Sequence, residues 1–178
     1  MADQDGRFPD AGQTAGGPAT GTIYLDADAC PVKEYVFRVS ARYRVPLKVV
    51  ANGPIAIPPL PDLDAHLHVV PGTPDAADDW IAEHIAPGDL VLTADIPLAA
   101  RAIEKRVDAL DFRGKAYSPT RIGDALAARD LNAHLRSLGI ATGGPSSFGQ
   151  KERSAFASTL DAAVGKMRRR ADRAPASA

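Results

Sequence analysis

Short apolar runs alternate with stretches of helical periodicity along most of this chain. TIYLDA is followed by a helical pattern from Pro31 to about Tyr43, and then by LKVVAN. HLHVVP leads into a second helical pattern from Pro74 to about Ile85, and LVLTAD into a third from about Ile96 to Lys105. Runs such as LKVV and LVLT lack polar alternation, which is the pattern of strands covered on both faces. The alternation therefore predicts a three-layer α/β/α fold built on a mainly parallel sheet. A fifth strand is expected near VDALDF, then a helix from about Arg121 to Leu138, a Gly143-Gly144-Pro145 break, and a last helix from about Ser147 to Arg170. Pro31 and Pro74 stand where proline is favoured, in the first turn of a helix. NGPIAIPPLPDLD departs from the alternation. Its four prolines between Asn52 and Asp64 exclude a regular helix and predict an irregular, partly apolar loop lying over a site or a partner.

The ends read differently. Residues 1–20 mix Gly, Ala, Asp, Gln, Pro and Thr without periodicity, and residues 171–178 do the same, so both are expected to be disordered tails. The folded part, 21–170, is expected to form one domain with basic helices from about residue 112. A chain of 178 residues is long enough for one full core and short for two. Aromatic residues make up only 6% of the chain, so Ala, Val, Leu and Ile must fill the interior. No window reaches the roughly 20 apolar residues of a membrane span, and no basic head precedes a greasy segment near the start. The single cysteine excludes an internal disulfide and fits a reducing compartment, so a cytoplasmic protein is expected.

The chemistry gathers at the strand ends. In a parallel sheet these converge along one edge, and here they carry acids. Asp26 and Asp28 follow the first strand, Asp75, Asp78 and Asp79 open the helix after HLHVV, and Asp95 ends LVLTA. Asp75, Asp78 and Asp79 stand at i, i+3 and i+4 of that helix and so share a face. Oxygen-only ligation of this kind suits Mg²⁺ or Mn²⁺. An Asp in a first helical turn is also favoured by free amides and the macrodipole, by about 0.3–1 kcal/mol, so any one of these acids is explained by capping. Six on three consecutive strand ends are not, because close like charges destabilise a fold.

Charge is unevenly spread. Residues 1–111 carry 9 Lys/Arg against 17 Asp/Glu, a net of −8, and residues 112–178 carry 12 against 5, a net of +7. An acidic cluster followed by a basic module suits a cation site acting on a polyanion. Arg113, Arg129, Arg136, Lys151 and Arg153 are the candidate phosphate contacts, with Lys166 and Arg168 to Arg170 behind them, although arginines at a helix C-terminus are favoured by the macrodipole alone. Lys33 is placed to reach a phosphate, Thr93 to hold water or bond the backbone, and Asn52 to face the same edge. Only Tyr117 and Phe148 supply aromatic surface to this region, so recognition through backbone charge is expected over recognition of single-stranded bases. The four histidines show no metal-ligand spacing and are read as surface or core residues. Cys30 lacks the arginine six residues on that a C-x5-R phosphatase needs, since Val36 stands there, and is read as a buried apolar residue.

Two resemblances bear on these residues. DADAC is similar to the Asp-x-Asp of haloacid-dehalogenase-type phosphatases, but that family places its metal-binding acidic pair late, whereas Asp78-Asp79 precede Thr93. The strings DADACPVK, DAADDWI, LVLTADIPLAA, RGKAY, LAARDLNAHLRSLG and GGPSSFGQKERSAF together closely resemble the YaiI/YqxD family of uncharacterised bacterial proteins, over about residues 22 to 165. That family in turn is similar to PIN-like nuclease domains, with Asp26, Asp79 and the Thr93-x-Asp95 unit at the matching positions. The resemblance implies a PIN-like fold and an Mg²⁺- or Mn²⁺-dependent nuclease with Asp26, Asp79 and Asp95 as catalytic residues. Nucleic acid, RNA foremost, is the implied partner, and self-association is left open. The second acid of the DxD pair and the basic C-terminal module depart from the general PIN pattern. A module that binds nucleic acid without cutting it and a small-molecule phosphatase are the competing readings.

Overall fold

The computed structural model describes residues 21–144 and 147–173. The tail expected over 1–20, residues 174–178 of the second tail, and Pro145 of the expected break lie outside the described residues. The elements are β1 (Ile23–Asp26), α1 (Lys33–Tyr43), β2 (Leu47–Ala51), β3 (Ala65–Val69), α2 (Ala76–His84), β4 (Leu90–Leu92), α3 (Ile96–Glu104), β5 (Asp108–Leu110), α4 (Ile122–Ser137) and α5 (Gln150–Arg173). The five strands pair in the order β3-β2-β1-β4-β5, every pair parallel. Ile23 is level with Leu47 on one side and with Leu90 on the other.

Alternation along the strands divides the interior in two. Ile23, Leu25, Leu47, Val49, Leu90 and Leu92 face a layer formed by α1 and α5, which adds Val36, Phe156, Leu160 and Val164. Tyr24, Val50, Val91 and Ala109 face the other way, onto Ala77 and Ile81 of α2 and Leu98, Ala99 and Ala102 of α3. Burying each large aliphatic side chain contributes about 1.5–3 kcal/mol. The fold is thus the expected three-layer α/β/α arrangement. On α5, Phe156, Leu160, Val164, Met167 and Ala171 recur at helical spacing and form its buried stripe.

Several boundaries move. α1 begins at Lys33 and α2 at Ala76, two residues inside their prolines, because Pro31 and Pro74 lie in the preceding turns. α5 begins at Gln150, where the Glu152 carboxylate accepts from the Gly149 amide, and it runs on to Arg173, past the expected end. The stop of α4 is set by Gly139, at φ 74, rather than by the Gly143-Gly144-Pro145 run. Its amide donates to the Arg136 carbonyl and the next amide, of Ile140, to the Leu135 carbonyl, a pairing that needs a left-handed residue between them. No residue of α4 is fully buried, and Leu131, Leu138 and Ile140 are exposed. The proline-rich segment packs Ile55, Ile57, Leu60 and Leu63 against the α1/α5 core, so most of it lies on the core and not over the acidic edge. Among the described residues no helix is long and apolar enough to cross a membrane.

Candidate functional site

Strand order reverses direction between β1 and β4, and in open parallel sheets the crevice outside the strand ends at such a point is where ligands bind. Asp26 is the last residue of β1, and Thr93 to Asp95 follow β4 directly beside it. Thr93 is fully buried. Its hydroxyl donates to Asp26 Oδ2 at 2.8 Å and accepts the Asp95 amide at 2.9 Å, which locks the two strand ends together. Asp95 Oδ1 accepts the Leu98 amide at 2.8 Å and caps α3. Asp28 Oδ2 accepts the Asn52 amide at 2.9 Å, tying the β1–α1 turn to the end of β2. Asp75 precedes α2 in the left-handed region, at φ 62, and its side chain makes no capping hydrogen bond.

Asp26, Asp28, Asp75, Asp78 and Asp95 line one cavity of about 550 Å³, together with Asn52 and Thr73. Five of the six acids singled out from the sequence therefore converge. Asp79 does not. It is 60% exposed and pairs with Arg101 at 2.7 Å, outside the lining of this cavity. Successive helical residues point about 100° apart, and it is Asp78 that α2 turns inward. Of the two neighbours expected at the acidic site, Asp78 lines the cavity and Asp79, expected to be catalytic, does not.

The electrostatics agree. Burial first, and then the charges of Asp95, Asp26 and Asp75, push the Asp78 carboxyl up to about 6, against a smaller pull from Arg101. Asp26 is also raised, by burial and by Asp28 and Asp95, while the Thr93 hydroxyl and Lys33 pull the other way. Among the described residues no hydrogen bond reaches the Asp78 carboxylate. The cavity thus concentrates negative charge that the protein only partly balances.

Among the described residues no three acidic, histidine or cysteine side chains stand close enough to form a ready-made metal cage. Asp26, Asp28 and Asp95 each commit one oxygen to a hydrogen bond and keep the other for a ligand. An all-oxygen set of this kind fits Mg²⁺ or Mn²⁺, which retain several waters and take one or two direct carboxylate bonds. It does not fit a fully protein-ligated ion.

The remaining candidates separate. Lys33 donates to the Cys30 carbonyl at 2.7 Å, close enough to Asp26 to act on its charge. Cys30 is buried and its thiol is pushed up to about 11, chiefly by burial, so it is no nucleophile at neutral pH. Arg113 and Arg153 meet at Phe148, each guanidinium carbon 5.7 Å from the ring centre. Lys151 is exposed in the first turn of α5. Arg129 pairs with Asp130 on α4, and Arg136 lies exposed further along that helix, so neither lines the acidic cavity. Two residues of the region went unread. Arg101 is the cation that tempers Asp78, and Asp111 directly follows β5 and accepts the amides of Arg113 and Lys115. The rule that found the other acids, a carboxylate at a strand end, also marks Asp111.

Comparison with known proteins places the chain. Residues 24–166 match the family described as uncharacterised BCR, YaiI/YqxD family. Among curated relatives, a UPF0178 protein of Rhodospirillum rubrum is 48% identical over 83% of this chain and 97% of its own length. UPF0178 proteins of Azorhizobium caulinodans and Brucella suis are 49% and 50% identical, over 83% and 85% of this chain and 92% and 94% of theirs. No solved structure matches. With a family match across most of the described residues and near-half identity to relatives of similar length, the chain belongs to the YaiI/YqxD family.

Proposed function

We propose that the protein is a divalent-metal-dependent nuclease that hydrolyses phosphodiester bonds, with RNA as the foremost substrate. The observation that carries this reading is the meeting of five carboxylates, from the ends of β1 and β4 and the start of α2, in a single cavity at the sheet's switch point. Such crowding is costly in a resting fold unless a cation offsets it. Asp26 and Asp95, joined through Thr93, would hold the ion, with Asp28, Asp75 and Asp78 around it. Mg²⁺ or Mn²⁺, when bound there, supplies Lewis acidity toward the phosphate and makes a bound water more acidic. Thr93 positions Asp26 and fixes its distance from Asp95. Asp78, which lines the cavity beside them, accepts the proton of the attacking water as the water oxygen bonds to phosphorus. The bond from phosphorus to the ribose oxygen breaks, and the departing oxygen takes a proton from solvent. The resemblance to PIN-like domains at Asp26 and Thr93-x-Asp95 supports the same reading, with Asp78 in place of Asp79.

The test uses labelled RNA with Mn²⁺ or with EDTA, and p-nitrophenyl phosphate in parallel. Cleavage of RNA that requires Mn²⁺ and is lost in Asp26→Asn and Asp95→Asn is expected. Cleavage that ignores EDTA or survives both substitutions overturns the mechanism. Metal-dependent turnover of the monoester alone replaces it with a phosphatase.

A further inference from the structure

We propose that a second cavity beside the acidic one is a nucleobase pocket, which takes one base of a single-stranded nucleic acid while the adjoining phosphate lies at the carboxylates. The direction of the bound strand rests on the nuclease reading, but the pocket stands on separate observations. It has a volume of about 420 Å³ and is lined by Pro31, Ile96, Tyr117, Phe148, Arg113 and Lys115, among others. Small-molecule sites span roughly 300–1,000 Å³, so the space suits a single nucleoside and not a duplex. Ala29 and Ala94 line both cavities, so the passage between them is bordered by short side chains.

The walls carry the chemistry of base recognition. Unpaired bases stack on aromatic rings and on guanidinium planes. Tyr117 and Phe148, distant in the chain, are brought to one cavity by the ends of β5 and α5, and Arg113 joins them. The guanidinium carbons of Arg113 and Arg153 each lie 5.7 Å from the Phe148 ring centre, within cation–π range. Tyr117 is half-buried, and burial with the nearby charges of Asp111 and Asp95 pushes its phenol up to about 12. Its hydroxyl therefore remains a donor at neutral pH. Arg113 and Lys115, against the single acid Asp111, leave the pocket lining with a positive balance, opposite in sign to the phosphates that flank a base, while the next cavity is acidic. A base locked in a duplex cannot enter without unstacking, so the pocket selects single strands. Recognition through phosphate charge alone, expected from the sparse aromatic content, is thereby extended to the bases.

The experiment reads binding in EDTA, where cleavage plays no part, by fluorescence anisotropy of short labelled RNAs. Three probes of matched phosphate number are compared: a single strand, the same strand with abasic sugars, and a duplex of half its length. The single strand is expected to bind the intact protein about tenfold more tightly than the abasic strand. Phe148→Leu and Tyr117→Leu should each shrink that ratio, with thermal melts showing that the variants fold. If either variant unfolds, the comparison of the three probes on the intact chain decides. Equal affinity for the abasic and base-bearing strands, or for the duplex, overturns the pocket. A clear base dependence without any metal-dependent cleavage keeps the pocket and removes the nuclease.

Discussion

Replacing Asp78 by Asn should stabilise the metal-free protein while abolishing the RNA cleavage proposed for it. The Asp78 carboxyl sits at about 6 in the fold, against an ordinary 3.8, mainly because it is buried beside Asp95, Asp26 and Asp75. At 1.36 kcal/mol per pH unit, that separation would penalise the ionised fold by about 3 kcal/mol if the group were fully enclosed. It is only partly enclosed, so solvent screening reduces the figure to about 1–1.5 kcal/mol. In a chain of this size that corresponds to a rise of about 2–6 °C in Tm. The sign follows from linkage. A raised folded value means that the contribution of Asp78 is favourable below 3.8 and is lost as pH rises through about 6. The variant's advantage should therefore be near zero in acid and fully developed above neutrality. Melts followed by circular dichroism across pH measure it, with Asp79→Asn as the contrast, since that carboxylate pairs with Arg101 on the surface and should change cleavage little. Millimolar Mg²⁺ should raise the Tm of the unaltered protein more than that of Asp78→Asn, because an ion that binds only the fold stabilises it by mass action. A lower Tm for Asp78→Asn at neutral pH, or an advantage that does not vary with pH, would refute the picture of crowded, underbalanced charge.

Thr93→Val keeps the buried shape but leaves the Asp26 carboxylate and the Asp95 amide without their shared partner. It should cost about 1–3 kcal/mol in denaturant melts, with at least a tenfold loss of cleavage. Gly114→Ala should be severely destabilising in the same assay, since the added carbon would stand 2.7 Å from the Ala155 backbone at a φ of +83. Trp80, the only tryptophan, is stacked between His68 and His84, with ring centres 4.0 and 3.8 Å away. Burial, His84 and Lys48 hold His68 below its usual 6.5, so the stack's contribution is present above 6.5 and is lost as pH falls through the lower folded value. Trp80 emission should drop with a midpoint under 6.5 and lose that transition in His68→Ala; a midpoint at or above 6.5 would count against the stacked geometry.

Much of this fold was legible because a parallel sheet leaves a plain trace. LKVV and LVLT are apolar on both sides, and they became β2 and β4 in the sheet's middle. Acids at Asp26 and Asp95 were legible for the same reason, since chain direction alone sends the ends of neighbouring parallel strands to one edge. Asp78 and Asp79 were harder to separate. Adjacent helical residues differ by about a quarter turn, and a shift of two residues in where α2 begins is enough to blur which one faces inward. Tyr117 and Phe148 were legible as the aromatic residues of the basic region, but their shared cavity was not, because it depends on how the segment before α5 packs beside the one after β5. Nor was the Trp80 stack, which joins a residue of β3 to two on α2.

The path of α5 bears on how the chain reaches its native state. This helix follows every strand in sequence, yet it covers the face of the sheet to which β1 contributes Ile23 and Leu25. Contacts of such long separation slow folding, because distant segments must meet before any gain is realised. While a ribosome is still making the polypeptide, the part of that side which α1 and the proline-rich segment leave uncovered stays open to water until Phe156, Leu160 and Val164 have emerged. During synthesis this uncovered surface is where chaperones would engage, and shortening the chain ahead of Phe156 would yield an aggregation-prone species rather than a smaller stable domain.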